Sequence, residues 1–175
     1  MDSQEDYGKY QGLQGDPQIA AMPLERDALR RFVQAIMDHD PLYFDETAAD
    51  ASKFGGLAAP PLYPVHAFRL PADTPDPLDV ISKDPNADGT AGIMGVAFGL
   101  PPIEMPYRRL LNGGNEIEFY RSLRVGERTV AHPKYVDVTL KEGKSGRMLL
   151  VTIETRFSTE AGEPLLLNRQ TLIWR

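Results

Sequence analysis

Eight consecutive residues, Asp38-His39-Asp40-Pro41-Leu42-Tyr43-Phe44-Asp45, gather three carboxylates, an imidazole and a phenol. Such groups suit general acid–base chemistry, in which a positioned side chain takes a proton from water or gives one to a reacting carbon. Asp38 reads either as that acid–base carboxylate or as a turn residue that caps backbone amides. His39 reads as an exposed neighbour or as a source of imidazole if the loop is re-aimed. Tyr43, with an ordinary pKa of about 10, is a poor general base near neutrality; it suits hydrogen-bond donation, or simply fills space. Carboxylates at alternate positions also suit a hard cation, but the run lacks the glycine and terminal glutamate of a calcium loop. The three histidines are scattered without zinc spacing, so no metal is expected.

Three further groups bear on chemistry. His66 sits in an apolar stretch and reads as a structural residue, or as an alternative base if it faces a substrate tunnel. Asn112-Gly113-Gly114 reads as an ordinary turn before a strand, or as backbone amides presented to an acyl or phosphate group, since glycine permits close approach. It is no dinucleotide fingerprint, because it does not follow a strand and open a helix. Arg108, Arg109, Arg121 and Arg124 suit phosphates through their planar forks, or serve as solvated strand-end charges. There is no cysteine, which excludes a thiol nucleophile and a disulfide scaffold.

The elements that must carry these groups follow from periodicity. Leu29, Phe32, Val33 and Ile36 recur at one helix face, with Glu25 and Asp27 in the first turn where the dipole favours acids. Pro41 disfavours helical geometry at Asp40, so this helix should stop around Met37 to His39. Asp45 is the expected N-cap of a second short helix, Glu46 to Phe54, stopped at Gly55. An apolar stretch from Leu57 to Leu70 is expected to hold a buried helix after Pro60-Pro61. Residues 69–110 form a long insertion dense in proline and glycine, expected to widen a pocket for bulky groups.

The last third reads as strands. Ile117 to Leu123, Val136-Val138-Leu140, Leu149-Val151-Ile153-Thr155-Phe157 and Leu165-Leu167-Thr171-Ile173 each place alternate residues on one face. Turns at Leu123–Gly126, Glu142–Gly146 and Ala161–Glu163 make neighbouring runs antiparallel. Helices followed by an antiparallel meander define an α+β domain, with the Leu57–Phe68 segment covering the sheet.

At 175 residues and a formal net charge of -6, one domain is expected, with residues 1–22 as a loosely ordered lead-in. The acidic balance disfavours nucleic acid. The polar start has no signal-peptide pattern, and no run is long enough to span a bilayer, so a cytoplasmic protein without membrane insertion is expected.

The segment Phe32 to Asp45 resembles the signature of MaoC-like (R)-specific enoyl-CoA hydratases, roughly F-A-x-x-x-G-D-x-N-P-x-H-x-D. FGGLAAPP (54–61), LNGGNEIEFYRSLRVGE (111–127) and the closing TLIWR are also similar to that group, and nearest to its N-terminal, fatty-acid-synthase-like dehydratase type. The resemblance covers residues 24–175. It implies a hot-dog fold, a curved antiparallel sheet around a central helix, and reversible hydration of trans-2-enoyl thioesters on CoA or an acyl carrier. No cofactor beyond the thioester is implied. The family's catalytic aspartate falls on Asp38, its asparagine on Asp40, its proline on Pro41 and its trailing aspartate on Asp45. Its catalytic histidine falls on Tyr43, so the acid–base imidazole is absent. Asp40, Pro61, Asn112, Gly113 and Gly114 are the implied substrate-binding positions. The implied assemblies are a homodimer, or a hetero-oligomer in which a MaoC-like subunit supplies the dyad and this chain shapes the acyl channel. A third reading is an acyl-CoA binding module without chemistry.

Overall fold

The computed structural model describes residues 6–68, 82–83, 85, 99–107, 109–143 and 146–175. Four long strands carry the fold: β2 (Leu110–Phe119), β3 (Thr129–Gly143), β4 (Gly146–Thr159) and β5 (Pro164–Trp174). A two-residue strand, β1 (Gln18–Ile19), flanks β3. All pairings are antiparallel, in the order β1-β3-β4-β5-β2. Helix α1 (Arg26–Ala35), helix α2 (Glu46–Ala51) and a single turn, α3 (Tyr63–His66), precede the main strands. This is an α+β hot-dog sheet.

Strand β4 follows its sequence pattern throughout: Leu149, Val151, Ile153, Thr155 and Phe157 are all buried on the inner face. Strand β3 departs from its pattern. A bulge between Tyr135 and Asp137 makes Val136 the extra residue, so Tyr135 and Val138 are both buried inward, one on either side of it. Strand β5 keeps Leu167, Thr171 and Ile173 on one face, as its alternation implied, but that face lies away from the core. Its pairing with β4 turns Leu166, Leu172 and Trp174 inward, and Leu167, Thr171 and Ile173 outward. Alternation did not decide this, because Leu165-Leu166-Leu167 and Leu172-Ile173-Trp174 are apolar at both parities.

Strand β2 lies beside β5 rather than β3, although a short turn after it implied a neighbour in sequence. The reason is that residues 120–128 pair elsewhere. The Ala59 amide donates to the Leu123 carbonyl (2.7 Å) and the Val125 amide to that of Leu57 (3.1 Å). The Leu24 amide donates to Glu127 O and the Gly126 amide to Leu24 O, both 2.8 Å. Leu123 is thereby buried as the linker crosses the sheet's end.

The inner face carries two apolar clusters. One contains Leu29, Val33, Ala59, Tyr63, Leu123, Phe157 and Leu166, under α1 and α3. The other contains Tyr7, Tyr10, Leu100, Tyr135, Val151, Leu172 and Trp174. The second cluster shows residues 6–22 of the lead-in to be more ordered than their composition implied. A 3-10 turn at Tyr7–Tyr10 buries both tyrosines, and the Tyr10 hydroxyl accepts from the Glu104 amide at 3.0 Å. The amides of Gly12 and Gly15 bond to the carbonyls of Tyr135 and Pro133 on β3. Packing of two aromatic rings outweighs the polarity of their neighbours.

The apolar stretch after Pro60-Pro61 is helical only over Tyr63–His66, with residues 69–70 outside the described set. Most of the 69–110 insertion also lies outside it. Among the described residues, no helix is long and apolar enough to cross a membrane.

Candidate active site

Helix α1 ends in a way that aims the carboxylate run. The Met37 amide donates to Gln34 O (3.2 Å) and the Asp38 amide to Val33 O (3.2 Å), the paired closure of a Schellman cap. Met37 takes the left-handed position, with φ 56. In the signature quoted above this is the glycine position. A side chain there clashes with the following carbonyl at a cost of about 1–2 kcal/mol. Met37→Gly is therefore expected to stabilise the chain by roughly 0.5–1 kcal/mol after the added unfolded-state entropy is counted, read as a rise of about 1–4 °C in Tm. An unchanged or lower Tm would contradict a strained cap.

Past the cap, each aspartate builds the next turn. Asp38 Oδ1 accepts from the Asp40 amide (3.1 Å), and Asp40 Oδ1 from the Leu42 amide (3.0 Å). Asp45 Oδ1 caps α2 at the amides of Thr47 (2.9 Å) and Ala48 (3.2 Å). The α2 helix stops at Ala51, earlier than expected, where Ser52 Oγ donates to the Ala49 carbonyl (2.6 Å). An Arg26–Glu46 ion pair ties α1 to α2.

Tyr43 closes the 3-10 turn Pro41–Tyr43 and, with Phe32, Leu57 and Val65, is half-buried against the cluster containing Leu29, Val33 and Tyr63. Burial, reinforced by the carboxylates of Asp38 and Asp40, pushes its phenol above the ordinary range. Tyr43 is thus a neutral hydrogen-bond donor at all physiological pH values. The structure brings Asp38, Asp40 and Tyr43 together in this way.

The other expected residues fall elsewhere. His39 is exposed. His66 is exposed on α3, its ring 5.4 Å from that of Phe32, so it flanks the same cluster. Pro61 is exposed just before α3. Asn112-Gly113-Gly114 is not a turn before a strand but a bulge inside β2. Asn112 Oδ1 accepts from the Gly114 amide (3.0 Å), which takes up that donor locally. Gly113 lies in a crowded spot, since a Cβ there would lie 3.0 Å from Thr171 O. Among the described residues, no group of three or more His, Asp or Glu forms a metal-ligand set. A cavity of about 380 Å³ opens beside Tyr7, Tyr10 and Glu104, at the cluster that does not contact Tyr43.

Sequence reasoning missed the group that fastens the linker between β2 and β3. The Arg121 guanidinium donates to both Glu127 carboxylate oxygens (2.8 Å each) and to Ser122 O (2.9 Å), and pairs with Glu163. Arg121 is therefore committed to carboxylates rather than free for a phosphate. Arg124 and Arg109 are exposed, and Arg108 lies outside the described residues.

The family described as the FAS1-like dehydratase domain region matches residues 18–167. The chain belongs to this family. A UPF0336 protein of Saccharopolyspora erythraea is 27% identical over 161 residues, covering 91% of this chain and 85% of that protein. The fold is similar to that in the ChsH1–ChsH2 complex from Mycobacterium tuberculosis, with a TM-score of 0.67 and 19% identity, covering 91% of this chain and 87% of that one. It is also similar to the R-hydratase PhaJ1 from Pseudomonas aeruginosa, with a TM-score of 0.60 and 15% identity over 93% of this chain and 79% of that one. The MaoC-like hot-dog hydratase/dehydratase resemblance of the sequence and this FAS1-like dehydratase membership agree.

Proposed function

We propose that this FAS1-like dehydratase chain is the pocket-shaping subunit of a hydratase assembly acting on trans-2-enoyl thioesters, with the acid–base imidazole supplied by a partner hot-dog chain. One observation carries the reading: Tyr43 occupies the imidazole's place in the signature, half-buried and held neutral beside Asp38 and Asp40. A neutral phenol between carboxylates donates a hydrogen bond to a thioester or to water but does not abstract a proton at pH 7. Asp38 keeps one carboxylate oxygen beyond the one spent on Asp40, which suits water orientation. Membership of a dehydratase family supports the thioester substrate, and likeness to one fold of a two-chain complex supports a hetero-oligomer.

The outer edge of β2 supports association as well. Its residues are exposed almost throughout, including Leu111 and Phe119, and an open strand edge is a ready template for a second sheet. The test follows loss of the conjugated enoyl absorbance on a panel of trans-2-enoyl-CoA substrates. The chain alone is expected to bind without turnover, and turnover is expected to appear with a hot-dog chain that carries the intact D-x-N-P-x-H motif. Turnover by the isolated chain that survives Tyr43→Phe would overturn the reading.

A further inference from the structure

The two apolar clusters of the inner face do not meet directly. Along β3, β4 and β5 they are separated by one transverse row, Pro133, Thr155 and Asn168, which are mutual cross-strand partners. The rows on either side show the change of cluster. Ala131, Phe157 and Leu166 belong to the cluster under α1, whereas Tyr135 and Ile153 belong to the other. Thr155 is 5% exposed and Asn168 is 8% exposed. Asn168 Oδ1 is buried and accepts no hydrogen bond from the described residues. A buried amide oxygen left unpaired is costly, so such an atom calls for an explanation.

The neighbouring row supplies a polar approach to it. Gln170 is half-buried on the same face of β5, and Asn115, opposite it on β2, is exposed at the open edge of the sheet. Polar side chains therefore run from the edge, through the amide of Gln170, to the amide of Asn168 and the hydroxyl of Thr155 in the centre. An apolar acyl chain gains nothing from such groups. A hydroxyl does, because it donates to Asn168 Oδ1 and accepts from the same amide or from Thr155.

We propose that this row is a hydrogen-bonding slot for an acyl group bearing a hydroxyl remote from its thioester carbon. The proposal rests on the thioester reading above and names the class of acyl group. A site built to bond a hydroxyl discriminates strongly against an analogue without it, since the buried partner is left unmet. The test is calorimetric titration of the full chain with a saturated ten-carbon acyl-CoA and with its counterparts hydroxylated at mid-chain and at the chain end. One hydroxylated thioester is expected to bind about tenfold tighter than the plain one. Asn168→Leu and, independently, Thr155→Val are expected to erase that preference while leaving the plain thioester's affinity unchanged. Equal binding of all the thioesters by the native chain would overturn the slot and leave the thioester reading intact. Binding of none would overturn both. A folded Asn168→Leu chain with higher thermal stability and an intact preference would make the amide a buried structural group only, and would also overturn the slot.

Discussion

Tyr43→His is expected to raise hydration of a trans-2-enoyl-CoA by the isolated chain about a hundredfold, the lower end of what a positioned base contributes. The imidazole would stand where the phenol now stands, beside Asp38 and Asp40. Two carboxylates stabilise the imidazolium and raise its pKa, so the new activity should climb with pH and be weak below neutrality. Adding Asp40→Asn removes one of those charges. It keeps an acceptor for the Leu42 amide, so the turn should survive. The double variant is expected to reach its full rate at lower pH than Tyr43→His alone. Rate against pH for the two variants, with Tyr43→Phe as control, measures this. A native chain as fast as Tyr43→His would remove the premise that an imidazole is what this site lacks.

Glu127→Ala is expected to cost about 2 kcal/mol of unfolding free energy, in proportion to a charge pair that is only partly shielded. Both side chains are about a quarter exposed, 27% for Arg121 and 28% for Glu127, so the value for a fully buried pair does not apply. Burial alone would raise the Glu127 carboxyl. The bond from Arg121 and the Arg124 amide at 2.7 Å outweigh it and hold the carboxyl below its ordinary range. A lowered folded-state pKa contributes stability that is fully present above the unfolded value and is lost as pH falls through the folded one. The difference between native and Glu127→Ala chains in urea unfolding should therefore hold from neutrality down to about pH 4.3, the ordinary glutamate range, and narrow below it. A difference independent of acid would mean that the side chain acts by packing. Loss of this pair should also loosen the Leu57–Ala59 pairing that leads into α3, so acyl binding is expected to weaken with it.

How much of this was legible depended on what each residue competes with. Strand β4 was plain in the sequence because its outward positions Thr152, Glu154, Arg156 and Ser158 are polar, so alternation over that stretch has one solution. The face of β5 was not, because Leu165 to Leu167 satisfy either parity and only pairing with β4 chooses. The β3 bulge left no mark, since Tyr135, Val136 and Val138 are all good strand residues. The glycine pair in β2 was visible as a backbone irregularity, but a turn and a bulge ask for the same residues. In the site, Asp38, Asp40 and Tyr43 were found because their spacing is local. The left-handed Met37 was not, because no glycine flagged it. The Arg121–Glu127 pair and the Thr155–Asn168 row join residues through the fold, and the one signal available was amides at the even positions of an apolar closing strand.

The pairing of β2 with β5 bears on how the chain is made. Residues 110–119 leave the ribosome well before residues 164–174, and every ladder bond that β2 makes waits for the last strand. Strands β3 and β4 can zip as a hairpin in the meantime. During synthesis, then, an early segment with Leu111, Phe119 and Tyr120 on it stays without its mate until β5 has been made. Unpaired strand edges in such intermediates are open to wrong partners. Truncation even a few residues before Trp174 should be far more damaging to β2 than its distance along the chain would imply.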